Sequence, residues 1–442
     1  MTAPGDGGGP GEAAGSGGPA GYGDPAASGG SSASGGSSAS GGSSAPGSSA
    51  GPLSHRRHWR PGVVQSVSPP GVVDLRPGYL DPDLLPVDLL AEAYQRAFTE
   101  FGAAALSYGA DQGALVLRSA LAARTAEAEL HACGPDNVLV TAGTSHALHL
   151  LATRLAAPGD VVLVEQTSYD FGRRILTDRG LRLRPVAMDG EGVHPGALHD
   201  AMVAERAAGG RIAFACLTPT FHNPTGLLVP AERRRELLAV AARHDVLVVE
   251  DDAYAGLELG GTPVECSLAG LAGYRGVVRL RTFSKTLAPG LRLGWLLAAP
   301  EFVRALVAQG VFVSGGSMNH VASLAVAELI RTGAYDRHLG WLRGRLRARR
   351  DALADALRAG LPADLGFELP AGGFFLWLTS RGGRTEADLL AAAGRAGVHL
   401  AGGTRFGTPA APSLRLAYSF TPPGTLAAAG RRLAAALTGG RS

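Results

Sequence analysis

From Val138 onward the chain alternates short runs of β-branched and aliphatic residues with longer stretches of helical periodicity, and this alternation limits the fold more than any other feature. Val138–Thr141, Val161–Glu165, Arg211–Leu217 and Val246–Glu250 are apolar along most of their length, as strands buried on both faces must be. Between them, stretches such as His146–Leu155 and Pro230–His244 carry apolar residues at helical spacing, with Pro230 placed to open its helix. Strand, helix and strand in succession predict an α/β fold with a mainly parallel sheet covered by helices on both sides. Val277–Phe283 and Arg292–Leu297 are expected to add two more strands.

The texture changes after Pro300. Arginine-rich helices are expected over about Met318–Arg331 and Tyr335–Ala359, then a strand at Gly373–Leu378, a helix near Glu386–Ala396, a strand at Leu414–Tyr418 and a closing helix. This segment reads as a smaller α+β domain. The expected division is therefore a large domain over 106–302, a small one over 303–442, and a segment over 53–105 that crosses over to join the small domain. Residues 1–52 are mostly Gly, Ser, Ala and Pro and carry too little apolar surface to offset their ordering entropy, so a disordered tail is expected there.

A formal net charge of +3, with arginines scattered along the chain, argues against a nucleic-acid partner. Cys133, Cys216 and Cys266 are far apart and odd in number, with no CxxC pair, which points to a reduced, cytoplasmic protein without a zinc site. No run of about 20 apolar residues suggests a membrane span.

Of the 41 basic residues only one, Lys285, is lysine. Arginine does not give up its proton near neutral pH, so any Schiff-base chemistry has a single candidate. Its surroundings, Arg281-Thr-Phe-Ser-Lys285-Thr-Leu-Ala-Pro-Gly-Leu-Arg292, place Thr282, Ser284 and Arg292 near it as groups able to meet a phosphate.

Functional residues of a parallel α/β sheet gather past the carboxyl ends of its strands. Gly143-Thr144-Ser145-His146 follows the first strand and opens a helix, so backbone N–H groups and hydroxyls converge there, which suits a phosphate; the plainer alternative is Thr144 or Ser145 as a helix N-cap. Tyr169 follows the next strand and could stack on a planar ring, or pack in the core. Asn223-Pro-Thr-Gly226 offers an amide donor, or simply a turn. Glu250-Asp251-Asp252-Ala-Tyr254 places three carboxylates at the end of a buried strand, which is unfavourable unless something positive meets them. No His or Cys cluster supports a metal in that role.

Tyr108-Gly109, Gly143-Thr-Ser, Asn223-Pro-Thr-Gly226, Asp251-Asp-Ala-Tyr254, Ser284-Lys285 with Pro-Gly-Leu-Arg292, and Leu414-Arg-Leu416 occur in an order that resembles the fold type I pyridoxal 5′-phosphate enzymes, specifically the class I/II aminotransferases. The texture around Gly78, Ser314–His320 and Pro370–Trp377 looks most like the branch of the kynurenine and 2-aminoadipate aminotransferases and the aminotransferase-like half of the MocR regulators. The resemblance implies a mainly parallel seven-stranded sheet in the large domain, and a homodimer with shared active sites. It implies transamination between an α-amino acid and a 2-oxo acid through a Lys285 aldimine and pyridoxamine phosphate. Asp251 would pair with the ring nitrogen, Asn223 and Tyr254 with the ring's 3′-oxygen, and Tyr169 with the ring face. Gly143, Thr144, Ser145, Thr282, Ser284 and Arg292 would hold the phosphate, with Tyr108 contributed by a partner subunit. Arg415 would bind the substrate α-carboxylate, beside backbone from Gly78. His222 and His146 depart from the family's usual residues. Other pyridoxal-phosphate reactions on an amino acid, by a lyase, decarboxylase or oxidase, and a cofactor-sensing regulator remain as alternatives. Arg76 and Arg405 are candidates for a second substrate carboxylate, and Tyr79, Phe221 and Phe312 for an apolar side chain.

Overall fold

A computed structural model describes residues 71–260, 264–316 and 318–439. The expected tail over 1–52, and the start of the segment over 53–105, lie outside the described residues. Seven strands form the principal sheet: β1 Val138–Thr141, β2 Val161–Glu165, β3 Arg182–Val186, β4 Ile212–Leu217, β5 Val248–Asp251, β6 Val277–Thr282 and β7 Gly294–Leu297. Their spatial order is β1-β7-β6-β5-β4-β2-β3. β2 through β6 run parallel to one another, while β7 is antiparallel to both neighbours, β1 and β6.

β3 is absent from the sequence-based expectation. It is an edge strand with exposed Arg182 and with Pro185 in its run, so neither apolar alternation nor β-propensity marks it. The other strands match to within a few residues; β7 begins at Gly294 because Arg292 adopts a left-handed conformation, at φ 45°, in the turn before it.

Two apolar clusters lie on opposite faces of the sheet. Leu163, Leu217 and Val248 belong to one, Val162, Phe214 and Val249 to the other, as alternation along doubly covered strands requires. A second sheet contains β8 Leu365–Gly366, β9 Phe375–Ser380, β10 Ala401–Gly402 and β11 Ser413–Ala417, in antiparallel order β8-β9-β11-β10. The helices Ala334–Arg358 and Pro423–Thr438 carry buried apolar stripes beside it. Val73–Asp74 pairs in parallel with Val398–His399, and Ala417 N–H donates to the Leu75 carbonyl, so the N-terminal segment is stitched to this region and runs on to Gly78.

Candidate active site

Lys285 lies in the turn that leaves β6. Its Nζ donates to the Gly78 carbonyl at 2.7 Å and sits 5.7 Å from the centre of the Tyr254 ring and 5.8 Å from that of Phe374. Burial, then the charge of Arg415, pushes the lysine down to about 8, with Asp251 opposing the shift. A substantial fraction of neutral amine is therefore present near pH 8.

Three carboxylates end β5, and the strand's alternation divides them. Glu250 accepts from the Leu268 and Ala269 N–H groups at 3.0 Å each and lies 3.9 Å from Arg234. Asp252 holds Arg279 at 2.7 Å, and Arg279 also binds Glu129 at 2.6 Å. Asp251 points to the other side, where its Oδ1 has no hydrogen-bond partner. Burial, then the adjacent charges of Asp252 and Glu165, raises its carboxyl to about 7. Asp252 Oδ1 likewise has no hydrogen-bond partner, but Arg279 meets the Asp252 charge at Oδ2, so the unmet charge is that of Asp251.

One end of the cluster is built around Gly143. Its φ is +86°, and a Cβ there would lie 2.9 Å from Arg292 Nη2, so glycine is required both by conformation and by the close approach of the guanidinium. Thr144 and Ser145 are the first residues of the helix Thr144–Leu155, and the N-cap position is Gly143, without a side-chain cap. The N-cap alternative for the two hydroxyls is thereby corrected: as the first two helical residues they are not engaged in capping. Arg292 donates to the Ala142 carbonyl at 3.0 Å and approaches Ser284 Oγ at 3.4 Å; Ser284 in turn accepts from the Thr282 hydroxyl at 2.9 Å. Basic side chain, hydroxyls and helix N-terminus converge as an anion requires.

At the other end, Arg415 from β11 is 3% exposed. Its guanidinium lies 4.2 Å from the ring centre of Phe375 and 4.6 Å from that of Phe406. Its Nη1 donates to Asn223 Oδ1 at 2.9 Å and its Nη2 to the Arg76 carbonyl at 2.6 Å, while Nε is buried without a partner. Burial pushes this arginine down to about 10, which records how strongly the pocket disfavours an unmatched cation. Asn223 Nδ2 faces Tyr254 Oη at 3.4 Å, linking the arginine to the phenol beneath Lys285. Burial raises the phenols of Tyr254 and Tyr169, so both keep their protons, and Tyr169 feels Asp251, Arg415 and Arg292 together.

Tyr108 is not brought to this cluster; it is 88% exposed, and its ring lies near Gly315. Phe221 and Phe312 are core residues rather than entrance aromatics, while Tyr79 is half-buried against Phe420, with 5.1 Å between ring centres. Arg405 pairs with Asp170 at 2.6 Å and Arg76 with Asp74 at 2.8 Å, so both arginines already face a carboxylate. His146 Nδ1 accepts from the Ala142 N–H at 3.2 Å. Sequence reasoning missed Glu165, Phe375 and Phe406; a lone carboxylate closing the apolar run Val161–Val164 was the available signal for the first.

The family model for aminotransferase class I and II matches residues 73–433. The chain belongs to the class I and II aminotransferases. It is 33% identical to a 2-aminoadipate transaminase of Thermus thermophilus, covering 84% of this chain and 91% of that protein. It is 32% identical to an uncharacterised HTH-type transcriptional regulator of Bacillus subtilis over 70% of this chain, and spans 62% of the regulator's length. The kynurenine aminotransferase of Pyrococcus horikoshii, solved with PMP, superposes with a TM-score of 0.77 at 26% identity, covering 83% and 91% of the two chains. These relatives and neighbours make this a fold type I, pyridoxal 5′-phosphate-dependent aminotransferase. The residues fit that cofactor: a carboxylate oxygen without a partner at Asp251, a cradle at Gly143 and Arg292, and a half-buried amine at Lys285. Among the described residues no group of three or more His, Cys, Asp or Glu could hold a metal, and no helix is long and apolar enough to cross a membrane.

Proposed function

We propose that this chain moves the amino group of an α-amino acid to a 2-oxo acid, with Lys285 as the amine that holds the cofactor and moves the substrate proton. The observation that carries this reading is the Lys285 amine, 2.7 Å from the Gly78 carbonyl, at the centre of a site where, among the described residues, Lys285, Asp251, Arg292 and Arg415 form no ion pair. Pyridoxal 5′-phosphate, when bound, supplies an electron sink for the carbanion formed at the substrate Cα. Asp251 meets the protonated ring nitrogen, and the unsatisfied Oδ1 supports that role. Asn223 and Tyr254 donate toward the ring's 3′-oxygen, and Tyr169 covers a ring face. The Gly143–Ser145 backbone and hydroxyls, with Thr282, Ser284 and Arg292, receive the phosphate.

Arg415 takes the substrate α-carboxylate beside the Gly78 backbone. Fixing that carboxylate orients Cα–H for removal by the Lys285 amine, which favours transamination over lyase, decarboxylase or oxidase chemistry. Tyr108 serves the site of a second copy in a homodimer; its exposure, with that of Leu106, Val311 and Val313, supports this. The same reading assigns 106–302 to a cofactor domain and 303–442 to a smaller domain carrying Arg415, in keeping with the two separate sheets. Three free cysteines agree with a cytoplasmic location.

A half-reaction screen tests the proposal. Protein loaded with the cofactor is mixed with single amino acids, and loss of the Schiff-base absorbance is followed with identification of the product. Stoichiometric 2-oxo acid without free ammonia is expected; ammonia release or carbon dioxide would move the chain to another reaction. A regulator is the second reading, favoured by the HTH-type relatives. Sequence-specific, salt-dependent DNA binding would support it.

A further inference from the structure

Asn223 stands between the two halves of the site, touching both Arg415 and Tyr254. What holds Asn223 itself is a buried chain of polar groups that begins on another strand. Glu165, 3% exposed at the end of β2, accepts from the Thr218 N–H at 2.9 Å and meets His222 Nε2 at 3.0 Å. His222, 1% exposed, meets the Thr225 hydroxyl through Nδ1 at 2.7 Å. The loop is closed further by the His222 N–H on the Leu227 carbonyl, at 2.9 Å, and the Gly226 N–H on the His222 carbonyl, at 2.6 Å.

Thr225 Oγ1 accepts from the Leu227 N–H at 3.4 Å while it meets His222 Nδ1, so the imidazole is held at both ring nitrogens, by Glu165 on one side and Thr225 on the other. Glu165 lies two strands from Asp251 and is, after burial and Asp252, among the causes that raise the Asp251 carboxyl. Cys216, on the strand between them, feels both carboxylates and is pushed well up, chiefly by burial. Asp252 adds to the charge facing Asp251, and Lys285 opposes it.

We propose that Glu165 and His222 are positioning residues for the reaction: they lock the loop that presents Asn223. The lock keeps the Asn223 amide aimed at Tyr254 and Arg415. This inference rests on the transaminase reading.

The test uses the full chain loaded with pyridoxal 5′-phosphate, for the wild type and for Glu165→Gln, His222→Leu and His222→Gln. The pH titration of the cofactor's visible absorbance and the Kd for the cofactor are measured. Glu165→Gln shifts the apparent pKa of the absorbance change by at least about half a unit, because a carboxylate that faces the Thr218 N–H and His222 Nε2 with two acceptor oxygens is replaced by an amide that has only one. His222→Leu raises the cofactor Kd roughly tenfold, and His222→Gln restores it to within about threefold, as groups that orient a direct ligand do. A Glu165→Gln protein that titrates with the wild type overturns the inference, as does a His222→Leu protein that binds the cofactor normally. If His222→Leu does not fold, the Glu165→Gln titration decides. Absence of any Lys285 adduct in the wild type defeats the transaminase reading itself, whereas a normal adduct with an unshifted titration defeats only this inference.

Discussion

The two faces at the end of β5 carry similar charges and differ in whether those charges are met. Behind the sheet, the charges of Glu250, Asp252 and Glu129 are matched by Arg234, Arg279 and backbone N–H groups, although Asp252 Oδ1 is left without a hydrogen bond. In front, Asp251, Lys285, Arg292 and Arg415 stand near one another without an ion pair among the described residues. Adjacent aspartates, Asp251 and Asp252, therefore belong to different physical regimes. Burial, then the charges of Asp252 and Glu165, raises the proton affinity of Asp251, whereas that of Asp252 is lowered, burial notwithstanding, in the field of Arg279. Buried charge alone does not mark a site; unmet charge does.

Breaking the front face should abolish chemistry and leave the fold. Lys285→Ala is expected to lose roughly 10³-fold or more in transamination, with thermal unfolding nearly unchanged, since no other lysine exists to take its place. Asp251→Asn should reduce turnover by about 10²–10³-fold, because a charge aimed at the reacting system is removed. The rear face should behave in the opposite way. Arg279→Met strands two buried carboxylates, Asp252 and Glu129, and is expected to destabilise by about 3–5 kcal/mol in chemical denaturation, with residual enzyme near normal per folded molecule.

Smaller effects sharpen the contrast. Arg415→Lys keeps the charge but loses the planar fork between Phe375 and Phe406, so KM for amino acids should rise about ten- to a hundredfold with a lesser change in kcat. The Lys285 amine, pushed down to about 8, becomes neutral as pH rises through that value, so cofactor capture by the empty protein should quicken with pH and level off above about 9. Capture independent of pH across that range would contradict a buried, shifted amine.

Much of this contrast was legible before any coordinates. Six strands of the sheet announce themselves by burial on both faces, and the strand-end positions bring Gly143, Asn223, Asp251 and Lys285 to one edge as a parallel sheet dictates. The antiparallel direction of β7 was not among the expectations, although only eleven residues separate Thr282 from Gly294, fewer than a parallel crossover needs. β3 was not legible, because an edge strand bearing Arg182 and Pro185 has a polar pattern indistinguishable from a loop. Local pattern, without the resemblance, could not separate Asp251 from Asp252, because the Arg279 that meets Asp252 also binds Glu129, 150 positions away from it. The Glu165–His222 contact spans 57 positions and is equally invisible to periodicity. Long-range pairing of buried charge is a property of packing, not of local pattern.

The central claim is that one lysine, alone among 442 residues, carries the cofactor. Reduction of the loaded protein with borohydride, followed by digestion and mass spectrometry of the peptides, tests it most directly. The account predicts a single phosphopyridoxyl adduct on the peptide containing Lys285, and none in Lys285→Ala. A reduced adduct elsewhere, or none in the wild type despite bound cofactor, would contradict it.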